Sequence, residues 1–228
     1  MSKCNTIKWS TEFSHTPKSR HTAKDILKHI PGPTKLAKKQ IYSPLTAFMS
    51  FFTIDMMEEI VSMTNKKLQS TKHSEISTTE FKKFIAIIIA AGISKSNMES
   101  VEFLWDSKFS SPFYSSTMPK TRFRVFTSYL RFDDITTRAQ RRTDFGDKLA
   151  PIRSIFDKFM LNCRKYMKPG EAMTIDETLV PFRGRVSFRQ YIPSKPAKYG
   201  IKIWNLCDSS NYYVYRSEIY RGKQSGMD

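Results

Sequence analysis

The spacing of apolar residues changes once along this chain, near residue 170, and this change restricts the fold more than any other feature. Residues 152–163 repeat apolar side chains at intervals of three and four, the spacing of one helix face, until Pro169-Gly170 interrupts the pattern. Beyond that point the alternation has a period of two, which predicts strands. The predicted strands cover residues 172–176, 198–207 and 212–220. We therefore expect an α+β fold in which an all-helical region precedes a sheet.

Capping signals mark where two of the helices begin. Ser43-Pro44 joins a capping hydroxyl to a proline at the first helical position, and Ser77 with Glu80 forms a capping box. The helix after Ser77 is apolar nearly all round beyond Lys83, and Gly92 suits its C-terminal cap. We expect this helix to form the buried centre of a helical layer.

Charge restricts the class of partner. The 228 residues include 38 Lys and Arg against 21 Asp and Glu, so the net charge is +17. An excess of this size indicates a polyanionic partner, with nucleic acid first, an anionic membrane surface second and a merely solubilising charge third. The longest apolar run, residues 84–93, is about half of the roughly 20 residues that a membrane-spanning helix needs, so we expect no membrane insertion.

The first 40 residues carry nine Lys and Arg against two acids and few large apolar groups, which is typical of a basic disordered arm. Residues 35–39 have the composition of a nuclear localisation signal, although short basic clusters also occur on solvated tails. The cysteines, Cys4, Cys163 and Cys207, are odd in number and far apart, which fits a reducing compartment. The compartment is therefore cytosol or nucleus, and we expect the nucleus.

A predicted helix over residues 117–132 carries a basic face. Its apolar residues share one side, whereas Lys120, Arg124 and Arg131 fall within about 40° of one another on a different side. Such a stripe is either the solvated face of a surface helix or a ridge that contacts phosphate groups. The residues alone leave both interpretations open.

The stretch from residue 174 to residue 203 holds one acidic pair, Asp176-Glu177, ahead of a run of lysines and arginines. A carboxylate at a strand end within a basic region suits a divalent metal ion beside a bound phosphodiester. It suits equally an ion pair with one of the neighbouring arginines. Because structural ion-pair networks often mimic functional sites, physical chemistry alone favours the ion pair.

Ordered motifs in this stretch are similar to the opening of the catalytic domain of piggyBac transposases. They are T-I-D-E at 174–177, F-R-G-R at 182–185, Y-I-P-x-K-P-x-K-Y-G-I-K at 191–202 and C-D-S at 207–209. Three upstream segments are similar to the helical region of that family: S-P-L-x-x-F-x-x-F-F at 43–52, E-E-I-V-x-x-T-N at 58–65 and L-R-F-D-D at 130–134. The resemblance covers the chain from about residue 41 to its end.

The resemblance implies a ribonuclease-H-like domain in which three catalytic aspartates bind two divalent ions, Mg²⁺ or Mn²⁺. It also implies metal-dependent DNA strand cleavage and transfer, through hairpin intermediates and with insertion at TTAA. Asp176 matches the first catalytic, metal-binding aspartate. Glu177 belongs to the motif without being a metal ligand, and Asp208 matches a turn residue, for which an Asx-turn between two strands is also the better physical interpretation.

The resemblance divides the chain into three parts. These are a basic arm over 1–40, a helical dimerisation and DNA-binding region over 41–168, and the first part of the ribonuclease-H-like domain over 169–228, with the first three strands of its sheet. The family's second and third aspartates have no match here. We therefore expect a truncated, catalytically incomplete chain that binds no metal ion tightly.

An incomplete sheet should leave one edge open and one face uncovered, with Ile201, Ile203 and Trp204 partly exposed. DNA is the expected partner, as transposon ends or as non-specific duplex; a homodimer is a further candidate, and no small-molecule substrate is expected. The alternative is a domesticated, non-catalytic module that binds DNA or a protein. The side chains predicted to contact DNA are all basic: Lys120, Arg124, Arg131, Arg183, Arg185, Arg189, Lys195 and Lys198.

Overall fold

The computed structural model describes residues 29–144 and 146–222. From Pro31 onward these residues belong to one compact unit. A two-stranded antiparallel ribbon lies at its start, in which β1 (Gly32–Pro33) pairs with β2 (Met167–Lys168). Because β2 follows the last helix directly, this ribbon ties the beginning of the unit to the junction between helices and sheet.

Part of the predicted disordered arm is ordered. Residues 1–28 lie outside the described residues, but α1 (Lys35–Gln40) is a helix that contains the basic cluster. Thr34 caps this helix, and Tyr166 donates its hydroxyl to the side chain of Gln40 at 3.1 Å. The prediction for this last segment of the arm was wrong, because composition does not reveal a contact with a helix 126 positions away along the chain.

The helical layer runs from residue 44 to residue 166. Within the described ranges, none of its helices is long and apolar enough to cross a bilayer. Its elements are α2 (Pro44–Phe51), α3 (Ile54–Leu68), α4 (Thr78–Ile93), a short 3₁₀ helix (Ser96–Met98), α5 (Val101–Leu104), α6 (Pro112–Thr117), α7 (Lys120–Tyr129), α8 (Ile135–Asp144) and α9 (Arg153–Tyr166).

Both predicted capping sites are confirmed. Ser43 caps α2, with Pro44 at the first helical position, and Thr46 completes a capping box there. Ser77 and Glu80 form the predicted capping box of α4. Each box satisfies backbone N–H groups that a helix start otherwise leaves without a partner.

The end of α4 differs from the prediction. The helix continues through Gly92 to Ile93, and the left-handed backbone conformation falls on Lys95, with φ 54°. Gly92 is therefore an ordinary residue of the last turn, and a lysine adopts the conformation that glycine more often takes after a helix.

The core of the helical layer is aromatic, and α4 is buried over only part of its surface. Phe84 of α4 stacks on Phe126 of α7, with ring centroids 4.9 Å apart. In the C-terminal half of α4, however, Ile88, Ile89 and Ile93 are exposed, because no element among the described residues packs over them. The prediction that this helix lies at the buried centre of the layer was wrong for that half.

Every strand pairing that the structure describes in the second half of the chain is antiparallel. The strands are β3 (Met173–Pro181), β4 (Gln190–Tyr191), β5 (Tyr199–Asp208) and β6 (Val214–Ile219). β5 is central, with β3 along one side and both β4 and β6 along the other. The three predicted strands are confirmed. β4 was missed, since two residues show no periodicity.

α9 joins the helical layer to the sheet. Ile155 belongs to the helical core, whereas Phe156 packs beside the buried Ile219 of β6 in a second cluster under the sheet. Tyr213 donates its hydroxyl to the carbonyl of Cys163 in α9 at 2.8 Å. One helix thus contributes to both cores, which is why helices and sheet form a single unit.

The three apolar residues of β5 that were predicted to be partly exposed are not fully buried. Ile201 and Ile203 are half-buried against the second cluster, and Trp204 is exposed. Within the described ranges, β3 pairs with β5 alone. Gly200 is needed at the end of this pairing, because a Cβ there would lie 2.2 Å from the carbonyl oxygen of Val180.

Candidate nucleic-acid interface

Asp176 lies in the middle of β3 with its side chain exposed, whereas the predicted strand ended at this residue. In the antiparallel register it is paired with Asn205 of β5. The amide nitrogen of Asn205 donates to Thr178 at 2.9 Å, and its amide oxygen accepts the hydroxyl of Ser217 at 2.7 Å. The face around Asp176 therefore combines one carboxylate with neutral polar groups.

The ion pairs of this strand form at Glu177. Because successive residues of a strand point to opposite faces, Glu177 lies on the other face from Asp176. Its carboxylate is 3.6 Å from the Lys202 ammonium and 3.9 Å from that of Lys195. The Asp176 carboxylate accepts the N–H of Glu177 at 2.7 Å and, among the described residues, has no cation within ion-pair distance. The prediction of an ion pair at Asp176 was thus wrong, because the ion pairs form at the next residue, Glu177.

The described residues do not fit a two-metal centre. No group of three or more His, Cys, Asp or Glu side chains within them could hold a metal ion. Two catalytic ions lie about 3.5–4 Å apart and are held between several carboxylates and the substrate. Mg²⁺ by itself takes one or two carboxylates, with phosphate and water oxygens completing an octahedron. The exposed Asp176 carboxylate would supply one ligand of such a centre.

The loop between β3 and β5 carries most of the predicted DNA contacts. Arg183 and Arg185 are exposed and have no ion-pair partner in the part of the chain that the structure describes. The Arg189 guanidinium donates to the carbonyls of Arg183 at 3.2 Å and Gly184 at 3.3 Å, and the adjacent Phe188 is buried. Arg189 therefore holds the turn closed, while the two other arginines are free to meet a ligand.

The second half of this loop returns to the strand that carries Asp176. The Lys195 ammonium donates to the carbonyl of Glu177 at 3.4 Å. The N–H of Ile192 donates to the carbonyl of Lys198 at 2.7 Å, which closes the loop on itself. Lys198 is exposed and left-handed, with φ 51°. The second half of the loop thus lies against Glu177, which is on the face of β3 opposite to Asp176.

Two tyrosines beside this loop were missed by sequence reasoning. Tyr191 of β4 and Tyr199 of β5 face each other across the strand pair, with ring centroids 4.7 Å apart. The Arg189 guanidinium lies over the Tyr199 ring at 5.5 Å. A signal was present in the sequence, since aromatic residues interleaved with lysines and arginines are typical of surfaces that bind single-stranded nucleic acid.

The basic face predicted over residues 117–132 is not one continuous ridge. α7 ends before Arg131, whose guanidinium donates to the preceding carbonyl at 2.7 Å. Arg124 forms an ion pair with Glu102, and Lys120 is the first residue of the helix. The prediction of a shared helical face was therefore wrong for Arg131, because the helix is shorter than the apolar pattern indicated.

The charged residues after α7 hold elements together. Asp133 is buried and accepts hydrogen bonds from the guanidinium groups of Arg138 and Arg141 in α8. Asp134 pairs with Lys66 of α3 at 3.0 Å. The L-R-F-D-D motif therefore fastens α8 and α3 to the loop between α7 and α8, and its neighbouring arginines are already engaged.

A helical layer followed by an antiparallel sheet, with an exposed aspartate on the first long strand and a basic loop after it, corresponds to a known class of protein. The family model described as Transposase IS4 matches residues 43–228, so the chain belongs to the Transposase IS4 family. Its similar proteins are of the piggyBac type, which confirms the resemblance seen in the motifs.

Human and structural relatives give the extent of the likeness. PiggyBac transposable element-derived protein 3 of Homo sapiens is 26% identical over 185 residues, which are 79% of this chain and 30% of that protein. PiggyBac transposable element-derived protein 2 of Homo sapiens is 25% identical over 181 residues, 78% of this chain and 29% of that protein.

A piggyBac transposase solved by cryo-EM in a synaptic complex with hairpin DNA has a similar structure. The TM-score is 0.81 at 35% identity, over 88% of this chain and 43% of that one. The chain thus spans less than half the length of each of these relatives.

Proposed function

We propose that this chain binds DNA through the basic loop between β3 and β5, as part of a piggyBac-type transposase or of a protein derived from one. The observation that carries the proposal is that Arg183 and Arg185 in this loop are exposed and have no ion-pair partner among the described residues. Residues 178–207 contain no Asp or Glu, and Glu177 just before them pairs with Lys195 and Lys202, so the arginines of the loop keep their positive charge unpaired. The complex of the structural relative with hairpin DNA supports the same class of ligand.

The parent activity in this proposal is metal-dependent DNA strand cleavage and transfer. Asp176 would be the first catalytic carboxylate of a ribonuclease-H-like sheet, and Mg²⁺ or Mn²⁺ would be the cofactor. This chain by itself is catalytically incomplete in the proposal, because its described residues do not fit a two-metal centre. Nuclear location and dimerisation through residues 41–168 belong to the same proposal; imaging of a fluorescent fusion and sedimentation would test them.

The salt dependence of duplex binding tests the loop. Each phosphate neutralised by a basic side chain releases counterions, so log K should fall with log salt by about 0.9 for each phosphate contacted. The double variant Arg183→Gln/Arg185→Gln should reduce that slope by up to about two and weaken binding about equally on all sequences. Fluorescence anisotropy on random and transposon-end duplexes at several salt concentrations measures both effects.

Lys82 and Lys83 provide a matched control, because they are also exposed and their replacement by Gln changes the charge equally. We expect the Lys82→Gln/Lys83→Gln variant to keep the salt dependence of the unchanged chain. Asp176→Ala should leave affinity unchanged or slightly higher, since it removes an exposed negative charge from the strand that leads into the loop. Equal slopes for the two double variants, or an affinity independent of salt, would contradict the proposal. Either result would favour a protein-binding module, for which the exposed isoleucines of α4 offer an apolar surface.

A further inference from the structure

Tyr191 and Tyr199 form an aromatic pair that the protein does not bury. They lie directly opposite each other on β4 and β5, with ring centroids 4.7 Å apart and ring planes inclined by 38°. The two residues are 55% and 52% exposed. A single exposed aromatic residue is common on protein surfaces, but two in contact form a continuous apolar surface, of which about half stays exposed here.

The surroundings of this pair are cationic. The Arg189 guanidinium lies over the Tyr199 ring, and the exposed Lys198 precedes Tyr199 in the chain. The acids that flank the pair in sequence are both engaged: Glu177 pairs with Lys195 and Lys202, and Asp208 is buried and accepts backbone hydrogen bonds. An exposed aromatic surface beside unpaired positive charge is the combination by which proteins hold single-stranded nucleic acid: the charges bind the phosphates, and the rings stack on bases.

The pair is also held in place before any ligand binds. β4 and β5 are joined by backbone pairing at both tyrosines, and the loop between them is closed by the hydrogen bond from Ile192 to Lys198. Gly200, next to Tyr199, allows β3 to approach so closely that no side chain fits there. Stacking on a fixed surface needs little further ordering, so less of the interaction energy is lost on binding.

We propose that the Tyr191–Tyr199 pair is a stacking platform for an unpaired nucleobase of DNA. The inference rests on the proposed function, because the phosphates of the same strand would lie on the basic loop. In the interior of a duplex both faces of each base are already stacked, and a blunt end exposes one face of a base that is still paired, so a base at a single-stranded end or in a hairpin tip reaches the rings far more readily. The platform therefore distinguishes DNA with unpaired bases from blunt duplex, whereas Arg183 and Arg185 hold both.

The test compares two DNA ligands of equal phosphate number, a blunt duplex and a duplex with an unpaired 2-aminopurine at one end. For the full chain we expect quenching of 2-aminopurine fluorescence and roughly ten-fold tighter binding of the second ligand. The double variant Tyr191→Phe/Tyr199→Phe keeps the ring faces and should retain this preference. Tyr191→Leu keeps apolar cover on Tyr199 but removes one ring face, so it should lose most of the preference while keeping duplex affinity and salt slope.

Tyr212→Ala is the control, because Tyr212 is 84% exposed and lies in the turn between β5 and β6. This variant should change neither the preference between the two ligands nor the salt dependence of binding. Equal binding of the two ligands by the unchanged chain, or equal behaviour of the Phe and Leu variants, would show that the pair only stabilises the strand pairing. A salt-dependent duplex affinity without any preference would overturn the platform alone. A preference with no salt dependence would overturn the basic loop alone.

Discussion

Two aspartates of the sheet have opposite surroundings, and these surroundings separate their roles. Asp208 is 2% exposed; one carboxylate oxygen accepts the N–H of Gly170 at 2.6 Å, and the other accepts the N–H of Ser210 at 2.9 Å. The Ser210 hydroxyl also donates to Asp208, and this hydrogen bond is the main cause of a pKa below the usual value. The two backbone hydrogen bonds lower the pKa of Asp208 further. Asp176 is exposed and accepts one hydrogen bond from the adjacent backbone. Asp208 is thus the predicted Asx-turn, and Asp176 remains available to a ligand.

The lowered pKa of Asp208 makes its contribution to stability dependent on pH. A carboxyl whose pKa is lower in the folded state stabilises the protein above its unfolded pKa, near 3.8, and this stabilisation is lost as the pH falls through the folded pKa. Asp208→Asn can keep the Asx-turn, but its amide nitrogen cannot accept from Gly170. We therefore expect the variant to be less stable than the unchanged chain at pH 7, and the difference to shrink below about pH 4.

Urea unfolding at several pH values measures this difference, and Asp176→Asn is the matched control. We expect the control to keep the stability of the unchanged chain across the range. A loss at Asp208→Asn that is the same at pH 3 and pH 7 would show that the residue acts through packing and not through its charge.

The start of α4 is fastened to α7 by one arginine. The Arg122 guanidinium donates to both carboxylate oxygens of Glu80 and to the carbonyls of Ser74 and Glu75. Its hydrogen bond is the main reason that the pKa of Glu80 lies below the usual value. Glu80 is also a member of the capping box, so one carboxylate serves the helix end and the contact between helices together.

Arg122→Lys should therefore cost about 1–2 kcal/mol of unfolding free energy, because an ammonium group cannot replace a guanidinium that bonds five oxygens, the Ser74 hydroxyl included. Arg124→Lys, two positions along the same helix, should cost less than about 0.5 kcal/mol, since its ion pair with Glu102 is exposed. Chemical unfolding of the two variants measures the contrast. Similar costs at both positions would mean that Arg122 contributes no more than a surface ion pair.

Helices and sheet depend on each other in this molecule because α9 packs into both of their cores. At the far side of the sheet β3 keeps an edge that no strand covers within the described residues, and Asp176 lies on that edge strand. The loop that follows β3 is basic, since residues 178–207 contain no Asp or Glu. The described residues therefore offer an exposed basic loop together with a single candidate metal ligand.

The purified 228-residue chain should neither nick nor join DNA carrying transposon ends, in Mg²⁺ or in Mn²⁺. The physical reason is that two divalent ions cannot be held by one carboxylate. Gel analysis of end-labelled DNA measures the outcome, with a full-length piggyBac transposase as the positive control. Metal-dependent cleavage that disappears in Asp176→Ala would contradict the prediction and show that this chain assembles a complete site.

Much of the fold could be predicted from particular residues, whereas less of the site could be. The sequence predicted the capping residues Ser43 and Ser77, the three long strands and the turn at Asp208. Its motifs identified the family. The extent of β3 beyond Asp176 was not predicted, because the polar residues Glu177 and Thr178 follow directly and interrupt the alternation of apolar side chains. Tyr191 and Tyr199 were passed over because nothing local indicates that they meet; their contact depends on the pairing of β4 with β5.

The sequence by itself determined the features that depend on residues within a few positions of each other: caps, strand alternation, the Asx-turn and the order of the motifs. Tertiary structure alone decided which side chains are free. It paired Glu177 and not Asp176 with lysines, engaged Arg124 with Glu102, and left the isoleucines of α4 uncovered. The reason is that exposure and ion pairing depend on which distant segments lie against a residue, and local periodicity carries no information about them.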